Sequence, residues 1–305
     1  MAVLVIGTVL AVACGDSPTG ESGDSGSDYL TGQDVLFLAP LEPDVVSFYG
    51  PGSQEFGHLR IPEGPPPYPV VVVVHGGCWV WSVSLRYMDR FAQALTDRGV
   101  ATWSLEYTRV GSPGSGWPRP FLDVGEGIDH LAELAPEYDL DLSRVVVAGH
   151  SAGGLLALWS AGRREVSPES PLYDPQALRM VGAVGLGAAG DLDALWRQQG
   201  LGCGPFPLEE MMGGPPHDCP ERYAAASPAA LLPTGVPYRL MTGVRDDIFP
   251  PFAAEEFVFQ ANRAGEDAVL KILPDAAHYE PIAPWTEAWP EVERTILELV
   301  GMAPE

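Results

Sequence analysis

Apolar residues along this chain fall into short unbroken runs, separated by longer stretches in which they recur every three or four positions. The clearest run is Val70 to Val74, preceded by Pro65-Pro66-Pro67 and followed by Gly76-Gly77. A continuous apolar stretch of this length fits a strand covered on both faces of a parallel sheet. Comparable runs follow at Val100 to Leu105, Arg144 to Ala148, Val181 to Leu186, Tyr238 to Thr242 and Val269 to Leu273. Between them the spacing turns helical. Leu85 to Arg98 puts Met88, Phe91, Ala92 and Leu95 on one stripe, and Phe121 to Ala135 does the same with Val124, Ile128, Leu131 and Leu134. Leu155 to Ala161, Phe252 to Ala264 and Trp289 to Val300 add three more helices. Strand and helix alternating this often predict an α/β domain with a mostly parallel twisted sheet and helices on both faces.

The beginning of the domain has a different texture. Val45 to Tyr49 and Gln54 to Ile61 flank Gly50-Pro51-Gly52-Ser53, which predicts a hairpin and hence an antiparallel edge on the sheet. Residues 167–178 and 191–232 are rich in Pro, Gly and isolated aromatics and break the alternation. They are expected to be cap-like insertions over the carboxyl ends of the strands, where α/β proteins select ligands.

Composition narrows the function classes. The chain has 305 residues, 46% of them hydrophobic, which is ample for one large core, and no internal repeat divides it. A single domain from about Tyr29 to residue 305 is expected. Seventeen basic residues face 41 acidic ones, a net charge of -24. Nucleic-acid binding is thereby excluded as a role, because phosphate neutralisation needs a basic surface. Polyanionic substrates are disfavoured for the same reason.

Ala2 to Ala13 is an apolar run too short for a membrane span but suited to the core of a secretory signal. Its end, Ala11-Val12-Ala13-Cys14, resembles a bacterial lipoprotein signal, although no Lys or Arg precedes Arg60. The resemblance implies a signal peptide over residues 1–14, lipidation of Cys14 and export, with the protein facing the periplasm or the exterior. Residues 15–28 are Gly, Ser, Asp and Glu apart from Pro18 and Thr19, with almost nothing to bury, as in a flexible tether. Membrane contact is expected only through that anchor. With Cys14 lipidated, Cys203 and Cys219 lie in one Gly/Pro-rich stretch and are the pair expected to form a disulfide, which leaves Cys78 as a thiol.

Four segments carry candidate chemistry. Gly149-His150-Ser151-Ala152-Gly153-Gly154 lies between a predicted strand and a predicted helix, the setting of a nucleophile elbow. There the serine hydroxyl is exposed on a sharp turn, and the Ala152 amide at the helix start favours a developing negative charge. His75-Gly76-Gly77-Cys78-Trp79 follows the Val strand directly. Its glycines leave backbone amides free to face a cleft, so Gly77 and Cys78 join Ala152 as candidate oxyanion donors, with His75, Gly76 and Trp79 in support. A serine needs a base, and the base an orienting carboxylate. His278, just past the last predicted strand, is the one histidine late enough for the chain order Ser, acid, His. The acid belongs after Tyr238 to Thr242, where Asp246 and Asp247 compete, with Asp191 as a weaker third.

Together these motifs resemble the α/β-hydrolases, in particular the esterase and kynurenine formamidase-like branch with a His-Gly-Gly-x-Trp oxyanion loop, including feruloyl and acetyl-xylan esterase-like members. The resemblance spans about Val45 to Val300. It implies the α/β-hydrolase fold and a Ser151-His278-Asp246 triad, since the family pattern Gly-x-x-Asp-x-x-x-Pro matches Gly243 to Pro250 and selects Asp246. It further implies hydrolysis of a small carboxylic ester through an acyl-enzyme, with no metal or organic cofactor. Two other readings share these residues: an arylformamidase-like amide hydrolase, and a lipid-anchored binding protein on a hydrolase fold. Trp79, Trp81, Trp117 and Trp196 stand where they could line an acyl pocket or fill the core.

Overall fold

The computed structural model describes residues 29–303. The expected signal, the Cys14 lipidation site and the tether lie outside the described residues.

The hairpin forms as expected. β1 (Val45–Phe48) and β2 (Phe56–Arg60) pair antiparallel, and β2 pairs antiparallel with β4 (Ala101–Leu105). All remaining pairs are parallel: β3 (Tyr68–Val74) lies between β4 and β5 (Leu140–His150), followed by β6 (Gly182–Leu186), β7 (Tyr238–Gly243) and β8 (Ala268–Leu273). The spatial order is β1-β2-β4-β3-β5-β6-β7-β8, which puts β3 and β5 side by side at the centre.

The unbroken valines of β3 have a simple cause. Val70, Val72 and Val74 point into one core and Val71 and Val73 into another, because successive side chains leave opposite faces of a strand. On the first face lie α3 (Arg119–Asp129), α5 (Ala152–Ala161) and α9 (Pro251–Ala264), contributing Phe121, Trp159 and Phe257. On the second lie α1 (Gly32–Leu36), α2 (Asp89–Thr96) and α10 (Trp289–Leu299), with Val35, Phe91, Leu95, Val292 and Ile296. The Phe121 to Ala135 stripe is divided at His130 between α3 and α4 (Leu131–Tyr138), and the His130 ring bonds Ser47 Oγ on β1 at 2.9 Å. Between hairpin and helix, Arg60 and Asp89 form a fully buried ion pair at 2.8 Å that ties β2 to α2.

The two irregular segments behave differently. Residues 191–232 leave the carboxyl end of β6 and fold into α6 (Leu192–Arg197), α7 (Pro205–Met212) and α8 (Pro220–Ala226). Pro205 and Pro220, which obscure helical spacing there, sit at helix starts, where a missing N–H costs nothing. Residues 167–178, by contrast, are not placed as a cap. They leave α5 at the end remote from Ser151 and lead into the start of β6, with the Leu178 amide donating to Asp129 at the end of α3. Part of this segment borders a cleft of about 540 Å³ with Trp117 and α8.

The disulfide expectation is overturned. Cys78 pairs with Cys203 across 125 positions, and Cys219 is a free, buried thiol. Proximity in sequence had favoured Cys219, but it begins α8, with its sulfur turned toward the carbonyls of Gly214 and Pro215. Cys203 instead lies beside the loop after β3, so the bond ties the 191–232 insertion to that loop. Disulfide mapping of the unreduced protein is expected to return a Cys78–Cys203 peptide, and a Cys203–Cys219 peptide would refute the arrangement. Because the closed loop is long, Cys203→Ser should lower unfolding free energy by about 4 kcal/mol in denaturant titration, whereas Cys219→Ser should not remove this term.

Candidate active site

The site is assembled at the carboxyl ends of β3, β5, β7 and β8. β5 runs into Ser151, which takes φ 57° and ψ -127° before α5 begins. A left-handed φ at a non-glycine residue costs energy and persists only where the surroundings impose it. Here they do so by close approach: a Cβ on Gly149 would stand 2.2 Å from the Gly153 carbonyl oxygen, and one on Gly153 would stand 2.1 Å from that of His75. Strand, helix and the loop after β3 therefore interlock with no room for a side chain at either glycine. The Ser151 amide is held by the Leu186 carbonyl at the end of β6.

The loop after β3 carries three successive left-handed residues, Gly77 at φ 94°, Cys78 at 51° and Trp79 at 58°. Cys78 is fixed by its disulfide. Trp79 is buried and its Nε1–H donates to the Ala152 carbonyl at 3.1 Å, joining this loop to the elbow. Among the described residues, the amides of Gly77, Cys78 and Ala152 make no hydrogen bond within the protein. Successive free amides of this kind form an anion-binding concavity.

Beneath the loop lies a buried polar network. His75 Nδ1 meets the Gly76 carbonyl and Nε2 meets Glu106 Oε1, each at 2.9 Å, while Tyr107 O–H donates to the His75 carbonyl. Burial alone would raise the Glu106 carboxyl, but His75, Arg109 and the Tyr107 amide outweigh it and hold the group below its ordinary range. The Gly76 amide donates to Tyr87 Oη at 2.6 Å, and Tyr87 in turn bonds His150 Nδ1. Burial, reinforced by the neighbouring His278, pushes His150 well below its ordinary value, so the ring is neutral at physiological pH.

His278 and Asp246 meet at 2.8 Å between Nδ1 and Oδ2, and both are buried. The other carboxylate oxygen, Oδ1, accepts from the amides of Ile248 and Phe249, so the turn after β7 aims Asp246 and fixes its rotamer. Asp247 is exposed, and Asp191 caps α6 by accepting from the amides of Asp193 and Ala194. Geometry thus separates three carboxylates that spacing left in competition. Phe249 stacks against the His278 ring, and Gly187 passes directly behind the pair: at φ 53°, a Cβ there would lie 2.8 Å from Asp246 Oδ2.

The triad candidates and the loop at His75 are therefore found at one end of the sheet, with Gly76 beside Ser151 and Gly187 behind the His278–Asp246 pair. The four tryptophans divide. Trp79 is core, Trp117 and Trp196 are half-buried, and Trp81 is 66% exposed. Spacing and motif gave no sign of Tyr87, Glu106, Tyr107 or Gly187. The first three lie on other elements than the motifs they support, and only the folded chain brings them there.

The BD-FAE family model matches residues 60–260. Esterase LipC of Mycobacterium tuberculosis is 27% identical over 216 residues, covering 70% of this chain and 53% of LipC. Neutral cholesterol ester hydrolase 1 of Pongo abelii is 33% identical over 108 residues, 32% of this chain and 26% of that protein. The chain thus spans about half and about a quarter of the length of these two relatives. Among solved structures, a truncated carbohydrate esterase from gut microbiota superposes with a TM-score of 0.70 at 16% identity, covering 88% of this chain and 98% of that one. Thermogutta terrifontis esterase 2, phosphorylated by paraoxon, gives 0.67 at 19% identity, with 86% and 96% covered. With its sheet order, its strand-elbow-helix turn and a family match over two thirds of its length, the chain belongs to the BD-FAE family and has the α/β-hydrolase fold.

Proposed function

We propose that this protein is a serine hydrolase of small carboxylic esters that works through an acyl-enzyme. The observation that carries the reading is the buried His278–Asp246 bond, following in chain order a serine held on a left-handed elbow. In this reading Ser151 Oγ attacks the ester carbonyl while His278 takes its proton through Nε2. Asp246 keeps the Nδ1 proton in place and stabilises the imidazolium that forms. The tetrahedral oxyanion is received by the unpaired amides of Gly77, Cys78 and Ala152, each such donor contributing about 3 kcal/mol. The alkoxide leaves with the proton from His278, and water repeats the sequence to release the acid.

The named relatives and structural neighbours are esterases or ester hydrolases, which supports an ester over a formamide as the bond cleaved. A complete set of candidate groups speaks against an inert binding protein. Trp81, two residues past the oxyanion loop and exposed, is our candidate for contact with the part of a substrate remote from the reacting carbonyl. Export with lipidation at Cys14 belongs to the same proposal, and the Cys78–Cys203 disulfide supports it because such bonds persist in oxidising compartments. Metabolic labelling with a palmitate analogue, lost in Cys14→Ser, would test the anchor.

Turnover of p-nitrophenyl acetate and longer esters is expected from the wild type and should fall to background in Ser151→Ala, a loss of about 10⁶-fold in comparable enzymes. Wild-type activity no greater than that of the variant would overturn the serine mechanism. Asp246→Asn should lower kcat by about 10⁴-fold through the wrong imidazole tautomer, and Asp247→Asn should stay within about twofold. Gly187→Ala forces a methyl against the His278–Asp246 pair and should cost about 10²-fold in kcat with far less change in KM, as expected for misplacement of a base by about 1 Å.

A further inference from the structure

The proposed machinery comes in two halves on distant parts of the sheet. The oxyanion loop follows β3 and the His278 loop follows β8, with β5, β6 and β7 lying between them in the sheet order. Catalysis by fixed dipoles requires the two halves to keep one spacing through the reaction. One chain of buried polar groups spans them. The Gly76 amide contacts Tyr87 Oη at 2.6 Å, Tyr87 Oη contacts His150 Nδ1 at 2.9 Å, and His150 Nε2 contacts the backbone carbonyl of His278 at 2.9 Å.

Chemistry gives this chain one direction. An amide can only donate and a carbonyl can only accept, so His150 must carry its proton on Nε2 and present a lone pair at Nδ1. Tyr87 accepts from Gly76 and spends its single proton on that lone pair. Tyr87, His150 and His278 are all buried, so water cannot substitute for any link. The same loop is gripped from its other side, where His75 Nδ1 meets the carbonyl oxygen of Gly76. That carbonyl shares its peptide plane with the Gly77 amide, so holding Gly76 at both its N–H and its C=O sets where the first oxyanion donor points.

We propose that Tyr87 and His150 are positioning residues, a phenol–imidazole relay that locks the oxyanion loop to the backbone of the His278 loop. His150 immediately precedes Ser151, so the relay also passes through the elbow and gives all three parts of the site a common reference. Its place as the first variable position of Gly-x-Ser-x-Gly is then a structural joint rather than a free choice. Burial beside His278 keeps the ring neutral, which is the state the relay needs. The inference rests on the serine-hydrolase reading.

The test is ester kinetics on Tyr87→Phe, His150→Leu and their double variant, with binding of a trifluoromethyl ketone that becomes a tetrahedral adduct on Ser151. Tyr87→Phe removes one oxygen and no packing volume. It is expected to lower kcat by about 10- to 100-fold with KM within about threefold, and to weaken the ketone in proportion. Because both residues belong to one chain, the double variant should be little worse than the poorer single one. Unchanged kcat in folded Tyr87→Phe, or multiplicative losses in the double variant, would overturn the relay while leaving the serine mechanism standing. Nitrogen-15 spectra of histidine-labelled wild type supply a check that needs no variant to fold: the neutral Nε2–H tautomer of His150 is expected, and an Nδ1–H tautomer or an imidazolium at pH 7 would refute the chain. An inactive wild type overturns the serine-hydrolase reading itself, and with it the catalytic purpose of the relay.

Discussion

Contact between the loop after β3 and the turn after β5 is the constraint on which the rest of the molecule depends. The two strands are neighbours at the centre of the sheet, and their continuations touch so closely that the Gly153 position can hold no Cβ beside the His75 carbonyl. That approach brings the free amides of Gly77 and Cys78 near the one at the start of α5. It also puts Ser151 in a left-handed conformation that an isolated chain would avoid. The two cores, built on the alternating valines of β3, hold the strands rigidly enough for such contacts to persist.

Strain collects in this region and is opposed there. Cys78, Trp79 and Ser151 each adopt a positive φ at a cost of about 1–3 kcal/mol. Cys78 is held by the disulfide to Cys203, Trp79 by burial and its bond to Ala152, and Ser151 by the Leu186 carbonyl. Polar groups under the loop are likewise matched rather than left bare: Glu106 receives His75, Arg109 and two amides. A buried carboxylate with fewer partners would neutralise itself, and the loop would lose its brace. The disulfide has a second consequence, since it makes the 191–232 insertion and the oxyanion loop one mechanical unit.

Legibility varied with the range of the interaction responsible. The strands, the hairpin and the helical stripes were readable because periodicity reports which faces are buried, and Met88, Phe91, Ala92 and Leu95 do lie together in the second core. Ser151, His278 and the loop at His75 were readable because each is set by a few adjacent residues. Asp246 and Asp247 could not be separated by spacing, since the choice depends on which carboxylate the Ile248 and Phe249 amides turn inward. In 191–232, α7 and α8 were hidden by their own prolines. Residues 167–178 looked the same in composition yet lie at the other end of the sheet, because composition marks irregularity and not location.

What the sequence by itself determined is the class of the fold, the order of its strands and of the helices outside 191–232, and which serine and histidine are the candidates, all of which follow from local backbone preference and burial pattern. Only the tertiary structure decided that Cys78 bonds to Cys203, that Gly187 must stay bare behind the His278–Asp246 pair, and that Tyr87 and His150 connect two loops from opposite sides of β5, β6 and β7. Those relations join residues tens to more than a hundred positions apart. No local propensity encodes them, because the free energy that selects them arises only when separate elements are packed to within hydrogen-bonding distance.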